Sequence, residues 1–329
     1  MTPPSTLGGA TVLVTGGHGF LGRVVCRHLE AVGAYVTAPT HADLELRDPT
    51  AVQRGFHAVQ PDVVVHLAAR VGGIGANQRK PATFWRDNLL MGVNVLDASH
   101  VVGARRVVVL GTVCSYPKHP PAPFREDALW DGYPEETNAP YGIAKRALWT
   151  GLASYAAEFG LASAYLLPAN LYGPDDDFDL ERSHVIPAMI RKCEAARLAG
   201  VPEVLLWGTG RPTREFLFVE DAADAIVRAA TKVNDPTPIN VGTGHEISME
   251  TLAHRVAAIT DFTGVLRWDP RRPDGQPRRV LDTSRARDRL GWTATTSLDD
   301  GLAKTVAWYR TSKWAAADEA ARQPTDPFV

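Results

Sequence analysis

The segment TVLVTGGHGFLG, residues 11–22, decides the fold class of this chain. Residues 11–15 form a short apolar run that predicts a buried strand, and residues 20–32 predict a helix. Between them stand Gly16, Gly19 and Gly22. Glycine allows the tight turn from strand to helix and lets the backbone approach a pyrophosphate at the helix N-terminus. Because strand, glycine loop and helix come in this order, the segment predicts a dinucleotide-binding turn.

The first two-thirds of the chain repeats this alternation of strand and helix. Runs that are apolar throughout belong to strands whose two faces are both covered, as in a parallel sheet between layers of helices. We therefore expect an α/β protein with a Rossmann-like, doubly wound parallel sheet. Further strands are predicted at residues 34–38, 62–68, 106–110 and 164–167, and helices over 81–101 and from 139–140 onward.

The composition of the sequence changes after residue 174. Residues 175–182 (DDDFDLER) are acidic and turn-like, and residues 269–279 (DPRRPDGQPRR) are typical of a basic loop. We expect a smaller C-terminal α/β domain for the substrate. The predicted parts are an NAD(P)-binding domain over 8–173 with returning segments near 215–244, a substrate domain over 174–214 and 245–312, and a weakly ordered tail over 313–329.

Composition excludes several classes of function. The 329 residues carry a formal net charge of −2, whereas nucleic-acid binding favours a basic surface. No apolar run approaches the roughly 20 residues of a membrane span, and the N-terminus has no secretory signal pattern. Cys26, Cys114 and Cys193 are scattered and match neither a disulfide framework nor a paired metal motif. We expect no nucleic acid, membrane or metal partner, and a cytoplasmic location.

Tyr141 and Lys145 are the first candidates for chemistry. They stand four residues apart on a predicted helix and therefore share a face. Tyrosine has an ordinary pKa near 10, and a cation within about 4–6 Å favours the phenolate, so Lys145 is expected to lower the pKa of Tyr141. The strand at 106–110 is followed by Gly111 and Thr112, whose hydroxyl can bind a substrate carbonyl. This set predicts proton transfer at a carbonyl, although the Y-x-x-x-K spacing also occurs on ordinary amphipathic helices.

These motifs together resemble the extended short-chain dehydrogenase/reductase family over nearly the whole chain. The segments HLAA (66–69) and PANLYGP (168–174) fit the family as well. The resemblance implies hydride transfer with a nicotinamide cofactor. The residues that it implies for cofactor binding are Gly16, His18, Gly19, Phe20, Leu21, Gly22, Leu67, Ala68, Ala69, Asn88, Tyr141, Lys145, Pro168, Asn170 and Leu171.

Other stretches are similar to one branch of that family, the GDP-L-fucose synthases. They are ARVGGIGAN (69–77), GTVCSYPK (111–118), SHVIP (183–187), WG (207–208), REFL (214–217), NVGTG (240–244) and PDGQPRR (273–279). The resemblance implies NADPH-dependent 3,5-epimerisation and 4-keto reduction of a GDP-linked 4-keto-6-deoxy-hexose. It also implies a homodimer, because members of the family often pair through helices.

The same resemblance assigns roles to individual residues. In that branch a cysteine and a histidine flank the sugar and move protons beside the C4 ketone, and Cys114 and His184 match them. Tyr141 would protonate the C4 oxygen, and Thr112 would bind it where the branch usually has serine. With Lys145, the implied catalytic residues are Thr112, Cys114, Tyr141, Lys145 and His184, and the implied substrate-binding residues are Asn170, Lys192, Trp207, Arg214 and Arg279.

The choice between NADP and NAD depends on the residues after the second strand. Residues 37–40 (TAPT) contain no acid, and the first carboxylate is Asp43. An acid at the strand end would bind the ribose hydroxyl of NAD and repel the phosphate of NADP. NADP is therefore expected, with NAD as the alternative. The resembling branch commonly has arginine in the glycine loop and after the second strand, where this chain has His18 and, approximately, Pro39.

Three other functions stay open at this point. The chain could be an epimerase without reduction, a reductase of a different 4-keto sugar nucleotide, or a non-catalytic dinucleotide sensor. A sensor does not need Thr112, Tyr141 and Lys145 together. Sugar-nucleotide 4,6-dehydratases usually have an Asp-Glu pair where this chain has Val113 and Cys114, which counts against that activity.

Overall fold

The computed structural model describes residues 6–72, 74–272 and 274–320. Gly73 and Pro273 of the quoted motifs, and residues 321–329 of the expected tail, lie outside the described residues. The strands are β1 (Thr11–Thr15), β2 (Tyr35–Thr37), β3 (Val63–His66), β4 (Arg106–Leu110), β5 (Ser163–Pro168), β6 (Asn170–Tyr172), β7 (Glu203–Trp207), β8 (Thr213–Arg214), β9 (Phe216–Phe218), β10 (Ile239–Val241), β11 (Ile247–Ser248) and β12 (Val265–Asp269).

The helices follow the same order along the chain. They are α1 (Phe20–Ala31), α2 (Pro49–Val59), α3 (Ile74–Arg79), α4 (Pro81–Val101), α5 (Ala139–Phe159), α6 (Val185–Ala199), α7 (Val219–Lys232), α8 (Met249–Ile259), α9 (Ser284–Leu290), α10 (Leu298–Arg310) and α11 (Lys313–Ala320). Two short 3₁₀ turns cover Val113–Ser115 and Glu126–Trp130. No described helix is long and apolar enough to cross a membrane.

The central sheet has six strands in the order β2-β1-β3-β4-β5-β10, and every neighbouring pair is parallel. Its middle strands are buried except at Thr11 of β1 and Leu110 of β4, as the apolar runs predicted. One layer of helices contains α2, α4 and α5, and another contains α1, α7 and α9. Two such layers bury both faces of a parallel sheet, which is the doubly wound α/β fold expected from the sequence.

A second hydrophobic core lies apart from the one around the central sheet. It contains Phe178, Ile190, Leu252 and Val306, contributed by the segment before α6 and by α6, α8 and α10. The later segment at 215–244 returns to the first core, because β10 pairs with β5 and α7 packs against α1. These two cores support the predicted division into a cofactor domain and a substrate domain, whose boundaries stay a prediction.

Residues 313–320 differ from the weakly ordered tail that the sequence suggested, because they form α11. Asp318 on this helix pairs with Arg191 of α6 at 2.6 Å and accepts a hydrogen bond from the Tyr309 hydroxyl at 2.6 Å. Arg191 also lies 5.6 Å from the ring centroid of Trp314. The helix is held by a partner more than a hundred residues away, which local sequence composition does not reveal.

Candidate active site

One large cavity lies at the carboxyl ends of the central strands. It has a volume of about 1450 Å³ and is bordered by the residues that follow β1, β3, β4 and β5. From β1 the chain runs to β2 on one side and then crosses back to β3 on the other side, so the strand order reverses at β1. Doubly wound sheets bind ligands at such a switch point. Ligand pockets usually measure about 300–1,000 Å³, so this cavity has room for two large ligands.

The glycine loop forms one wall of the cavity. Gly16 has φ = 76°, and a Cβ atom there would lie 2.7 Å from the backbone nitrogen of Ala68. A Cβ atom on Gly22 would lie 2.1 Å from the carbonyl oxygen of Gly16. Gly19 caps α1 without a side chain, and the first turn of α1 contains no acid. The N–H groups of that turn are therefore free to face a phosphate.

The end of β2 contributes a polar corner to the same cavity. The ring of His18 bonds through Nε2 to the carbonyl oxygen of Ala38 at 2.8 Å, and Pro39, Thr40 and His41 also line the wall. Asp43 is turned to Thr40, whose backbone and hydroxyl donate to its carboxylate at 3.0 and 2.6 Å. These hydrogen bonds lower the pKa of Asp43. No described carboxylate from residues 37–43 lines the cavity.

The segment after β3 places Leu67, Ala68 and Ala69 on the cavity wall. Asn88, which was expected to contact the cofactor, does not line the cavity. Its side chain is buried and accepts a hydrogen bond from the Arg70 backbone nitrogen at 2.9 Å, while its amide donates to the carbonyls of Arg70 and Phe84. Asn88 therefore fixes the backbone of the loop, and its contact with the cofactor stays a prediction.

Thr112, Tyr141 and Lys145 meet at the floor of the cavity. The Thr112 hydroxyl lies near enough to the Tyr141 hydroxyl to lower the pKa of that phenol. The Nζ atom of Lys145 lies 6.0 Å from the Tyr141 ring centroid and donates to the carbonyl oxygen of Leu110 at 2.9 Å. The helix α5 brings the two side chains together, and the end of β4 supplies the hydroxyl.

The pKa of Tyr141 shifts in the direction opposite to the one expected from sequence. Burial raises the pKa of this phenol well above its ordinary value, the neighbouring Cys114 raises it further, and the Thr112 hydroxyl opposes both. Burial also lowers the pKa of Lys145 to about 8. Since even an ordinary phenol has a pKa near 10, the Tyr141 phenol stays protonated at neutral pH. A protonated phenol is suited to donate a proton to a carbonyl oxygen.

Cys114 and His184 line the same cavity although they are 70 residues apart in sequence. Cys114 lies on the 3₁₀ turn after β4, and its Sγ is 3.9 Å from Nη1 of Arg279. His184 precedes the first turn of α6, and its ring is open to the cavity. The loss of water around the imidazole at the cavity wall lowers the pKa of His184, and the negative charge of the nearby Asp177 opposes this change.

The residues matched to the nucleotide also border the cavity. Lys192 donates to the carbonyl oxygen of Leu205 at 2.9 Å, and burial lowers its pKa. The ring of Trp207 is 62% exposed, with the Arg272 guanidinium 4.8 Å from its centroid. Arg214 is held by backbone carbonyls, and Asn170 donates to the Glu215 carbonyl at 2.8 Å. Pro168 and Leu171 complete the wall after β5.

Comparison with known proteins agrees with this architecture. Residues 12–242 match the NAD dependent epimerase/dehydratase family. The chain belongs to this family. It is 40% identical over 303 residues to the probable GDP-L-fucose synthase 1 of Oryza sativa subsp. japonica, which covers 92% of each chain.

Two solved structures of the same fold are similar over almost their whole length. A GDP-L-fucose synthetase from Naegleria fowleri bound to NADP has a TM-score of 0.85 at 28% identity, covering 94% of this chain and 97% of that one. A GDP-6-OMe-4-keto-L-xylo-heptose reductase from C. jejuni has a TM-score of 0.87 at 27% identity, covering 92% and 98%. The resemblance to the GDP-L-fucose synthases and the Rossmann-like fold expected from the sequence are thereby confirmed.

Two polar residues of this family member were missed at the sequence level. Glu215 is buried and accepts hydrogen bonds from the backbone nitrogens of Thr243, Gly244 and Leu281 at 2.5, 2.8 and 2.7 Å. Gln276 is buried next to the predicted substrate residues. Glu215 lies in the segment REFL and Gln276 in PDGQPRR. Their proximity in sequence to Arg214 and Arg279 is the feature that could have identified them as part of the site.

Proposed function

We propose that this chain catalyses the NADPH-dependent 3,5-epimerisation and 4-keto reduction of a GDP-4-keto-6-deoxy-hexose. The proposal rests on one observation. A single cavity brings together the glycine loop, the Thr112–Tyr141 hydroxyl pair, and the Cys114 and His184 side chains. Reduction at C4 and proton movement at C3 and C5 take place on neighbouring sugar atoms and therefore need these groups around one site.

The residues of the cofactor wall fit NADPH. The first turn of α1 offers unpaired N–H groups and no acid, which suits a pyrophosphate. His18 and His41 line the part of the cavity at the end of β2, where a 2′-phosphate would lie. The nearby Asp43 carboxylate accepts a hydrogen bond from the Thr40 hydroxyl and does not line the cavity, so it would not repel that phosphate. Lys145, which lines the same cavity, would hold the nicotinamide ribose. Bound NADPH would supply the hydride that C4 of the sugar accepts.

Tyr141 is the proposed proton donor for the reduction. A phenol with an ordinary pKa near 10 is protonated at neutral pH, and burial raises the pKa of Tyr141 further. Its proton is therefore present to be given to the C4 oxygen as negative charge develops there. The hydroxyl of Thr112 would hydrogen-bond the same oxygen and keep it near the phenol. General acid catalysis of this kind contributes about 10²–10⁴-fold to a rate.

Cys114 and His184 are the proposed pair for epimerisation. A C4 ketone acidifies the C–H bonds at C3 and C5, so one group can remove a proton to form an enolate and the other can return a proton to the opposite face. Each inversion removes one proton and adds one, and the sugar keeps its composition. Thiol and imidazole both exchange protons near neutral pH when their surroundings favour it.

The proposed nucleotide site lies beyond the sugar position. Lys192, Arg214 and Arg279 border that end of the cavity, and arginine can bind a phosphate with two parallel hydrogen bonds. Trp207 presents an exposed ring on which a base could stack. Asn170, at the start of β6, lines the same cavity and is the remaining proposed substrate-binding residue.

The deciding experiment is incubation with GDP-4-keto-6-deoxy-mannose and either NADPH or NADH in deuterated water, followed by NMR of the product. We expect deuterium at C3 and C5, inversion at both carbons, and oxidation of NADPH. Cys114→Ala should abolish the deuterium while Tyr141→Phe suppresses reduction. Normal deuterium incorporation by Cys114→Ala would remove Cys114 from the mechanism, and no turnover with either cofactor would refute the proposal.

A different 4-keto sugar nucleotide is the second candidate substrate. The solved structure of similar fold is named as a GDP-6-OMe-4-keto-L-xylo-heptose reductase, so related cavities accept larger sugars. The same NMR assay with a GDP-4-keto-heptose tests it. A kcat/KM higher for the heptose than for the hexose would replace the first substrate with the second.

We also propose that the chain works as a homodimer through α4 and α5. Leu90, Val93 and Val101 are each at least 40% exposed along α4, and Phe159 is exposed at the end of α5. Light scattering after size-exclusion chromatography should give twice the chain mass, and Val93→Glu should give the monomer. The control is Val201→Glu, at an exposed valine outside these helices. A monomeric wild type at micromolar concentration would overturn the proposal.

A cytoplasmic location is proposed from the chemistry of the site. Cys26, Cys114 and Cys193 are all free thiols, and Cys114 must stay a thiol to exchange a proton with the sugar. A reducing compartment preserves that state. Fractionation of cells that express the protein at its natural level tests this, and recovery outside the reducing compartments would contradict it.

A further inference from the structure

Gln276 occupies the centre of a hydrogen-bond network behind the sugar position. It is 4% exposed, and its amide nitrogen donates to the carbonyl oxygens of Pro117 and Lys118 at 3.1 and 2.8 Å. Its amide oxygen accepts from Nε and Nη2 of Arg279 at 3.0 and 2.7 Å. The reversed amide orientation would place donors against donors and acceptors against acceptors, so these contacts define the orientation.

The network connects two segments that are far apart in sequence. Pro117 and Lys118 follow the 3₁₀ turn that carries Cys114, whereas Arg279 lies near the end of the loop after β12. Held by Gln276, Arg279 directs Nη1 to within 3.9 Å of the Cys114 Sγ. Two of the five N–H groups of Arg279 donate to Gln276, and a third points to the Cys114 sulfur. The remaining two N–H groups of Arg279 can bind a diphosphate.

Gln276 also fixes a second cation near the same thiol. Its backbone carbonyl accepts from Nη1 of Arg214 at 2.6 Å, and the carbonyl of Asp274 accepts from Nη2 at 2.9 Å. Arg214 is close enough to Cys114 and Arg279 for both to influence its pKa, which burial lowers to about 10. Gln276 thus contacts both arginines, Arg279 through its side chain and Arg214 through its backbone carbonyl.

We propose that Gln276 is a positioning residue that holds Arg279 against Cys114 and keeps the thiol in a cationic setting that favours the thiolate. The inference rests on the proposed role of Cys114 as a proton carrier. A thiolate is the form that removes a proton, and nearby arginine is one of the surroundings that stabilise it. The other groups beside Cys114 are Tyr141, a neutral phenol, and Thr112, whose hydroxyl accepts from the Cys114 backbone nitrogen at 3.2 Å.

The test measures the thiol itself and needs no sugar. The rate of iodoacetamide alkylation of the Cys114 peptide is followed by mass spectrometry from pH 5 to 10 in wild type, Gln276→Leu and Arg279→Gln. We expect both variants to react about tenfold more slowly than wild type at pH 7 and at the wild-type rate at pH 10. A merely structural role would change the rate by the same factor at both pH values.

Matched controls come from the same chain. Arg278→Gln removes a neighbouring arginine that pairs with Glu246 and does not touch Cys114, so its profile should equal that of wild type. Cys26 is an internal reference in every sample, because burial raises its pKa to about 11 independently of Arg279. Arg279 is only partly buried, so Arg279→Gln gives a folded variant if Gln276→Leu does not.

The outcome separates this inference from the proposed function. An Arg279→Gln profile that matches wild type overturns the inference, and so does an equal change in Arg278→Gln. A shifted profile supports it whatever the sugar assay shows. The role of Cys114 as proton carrier fails separately, when Cys114→Ala still incorporates deuterium into the substrate.

Discussion

Replacing Lys145 with methionine should stabilise the protein while abolishing its proposed activity. Lys145 is 2% exposed, and burial lowers its pKa from the ordinary 10.5 to about 8. The lowered pKa means that keeping Lys145 charged reduces the stability of the folded protein. Methionine has a similar shape and no charge, so Lys145→Met removes that cost together with the hydrogen bond to the Leu110 carbonyl.

The magnitude follows from the change in pKa. Each unit corresponds to about 1.4 kcal/mol, so the drop from 10.5 to about 8 corresponds to about 3.5 kcal/mol of lost stability when lysine is charged in both states. A lost hydrogen bond offsets about 1 kcal/mol. The expected net gain in the free energy of unfolding at pH 7 is therefore about 2.5 kcal/mol.

The sign of the pH dependence provides the sharper test. Below about pH 8 the lysine is charged in the folded and unfolded states, so the full penalty is present. Between about pH 8 and 10.5 the unfolded state still binds the proton and the folded state has released it, so wild-type stability rises relative to the variant. The advantage of Lys145→Met should shrink across this window.

Guanidinium unfolding at pH 7, 8.5 and 10 measures these differences. Lys80→Met is the control, because Lys80 is exposed and its replacement should change stability little at any pH. A Lys145→Met protein that is less stable than wild type at pH 7 would refute the reasoning. A gain that stays constant up to pH 10 would show that the stabilisation does not come from the buried charge.

Three further predictions concern the glycine loop, the proton donor and a buried carboxylate. Gly22→Ala should weaken NADPH binding at least about tenfold in calorimetry, because its Cβ would lie 2.1 Å from the Gly16 carbonyl and displace the loop. Tyr141→Phe should lower kcat for NADPH oxidation by about 10²-fold or more with KM little changed, because the proton donor is lost. Glu215→Gln should lower the free energy of unfolding by about 2–3 kcal/mol in urea, since a neutral amide cannot accept from all three backbone donors.

Each of these predictions has a control and a contradicting result. Gly160→Ala, where no atom lies within 4 Å of the new Cβ, should keep its NADPH affinity, and tight binding by Gly22→Ala would contradict the loop argument. Tyr133→Phe, at an exposed tyrosine, should keep wild-type kcat. Retained activity in Tyr141→Phe would assign the proton to another group. Unchanged stability in Glu215→Gln would show that the three bonds contribute nothing net.

Much of the fold could be predicted because its signals are local. The bounds of β1, β4 and α4 agree with the sequence prediction to the residue, since apolar runs and a proline at the first helical turn mark them directly. The third strand was predicted over residues 62–68, whereas β3 spans only Val63–His66. Strand ends depend on which neighbours pair with them, and the sequence of one segment does not contain that information.

The sequence by itself determined the parallel sheet and the glycine turn after its first strand, and in the structure all the predicted site residues except Asn88 line the large cavity. Those inferences depend on short segments whose residue types dictate their conformation. Only the tertiary structure decided that Asn88 braces a loop, that burial raises the pKa of Tyr141, and that Gln276 holds Arg279 against Cys114. Burial and these contacts arise from the packing of segments that are apart in sequence, by 18 residues for Asn88 and Arg70 and by 165 for Cys114 and Arg279, so they exist only once the chain has folded.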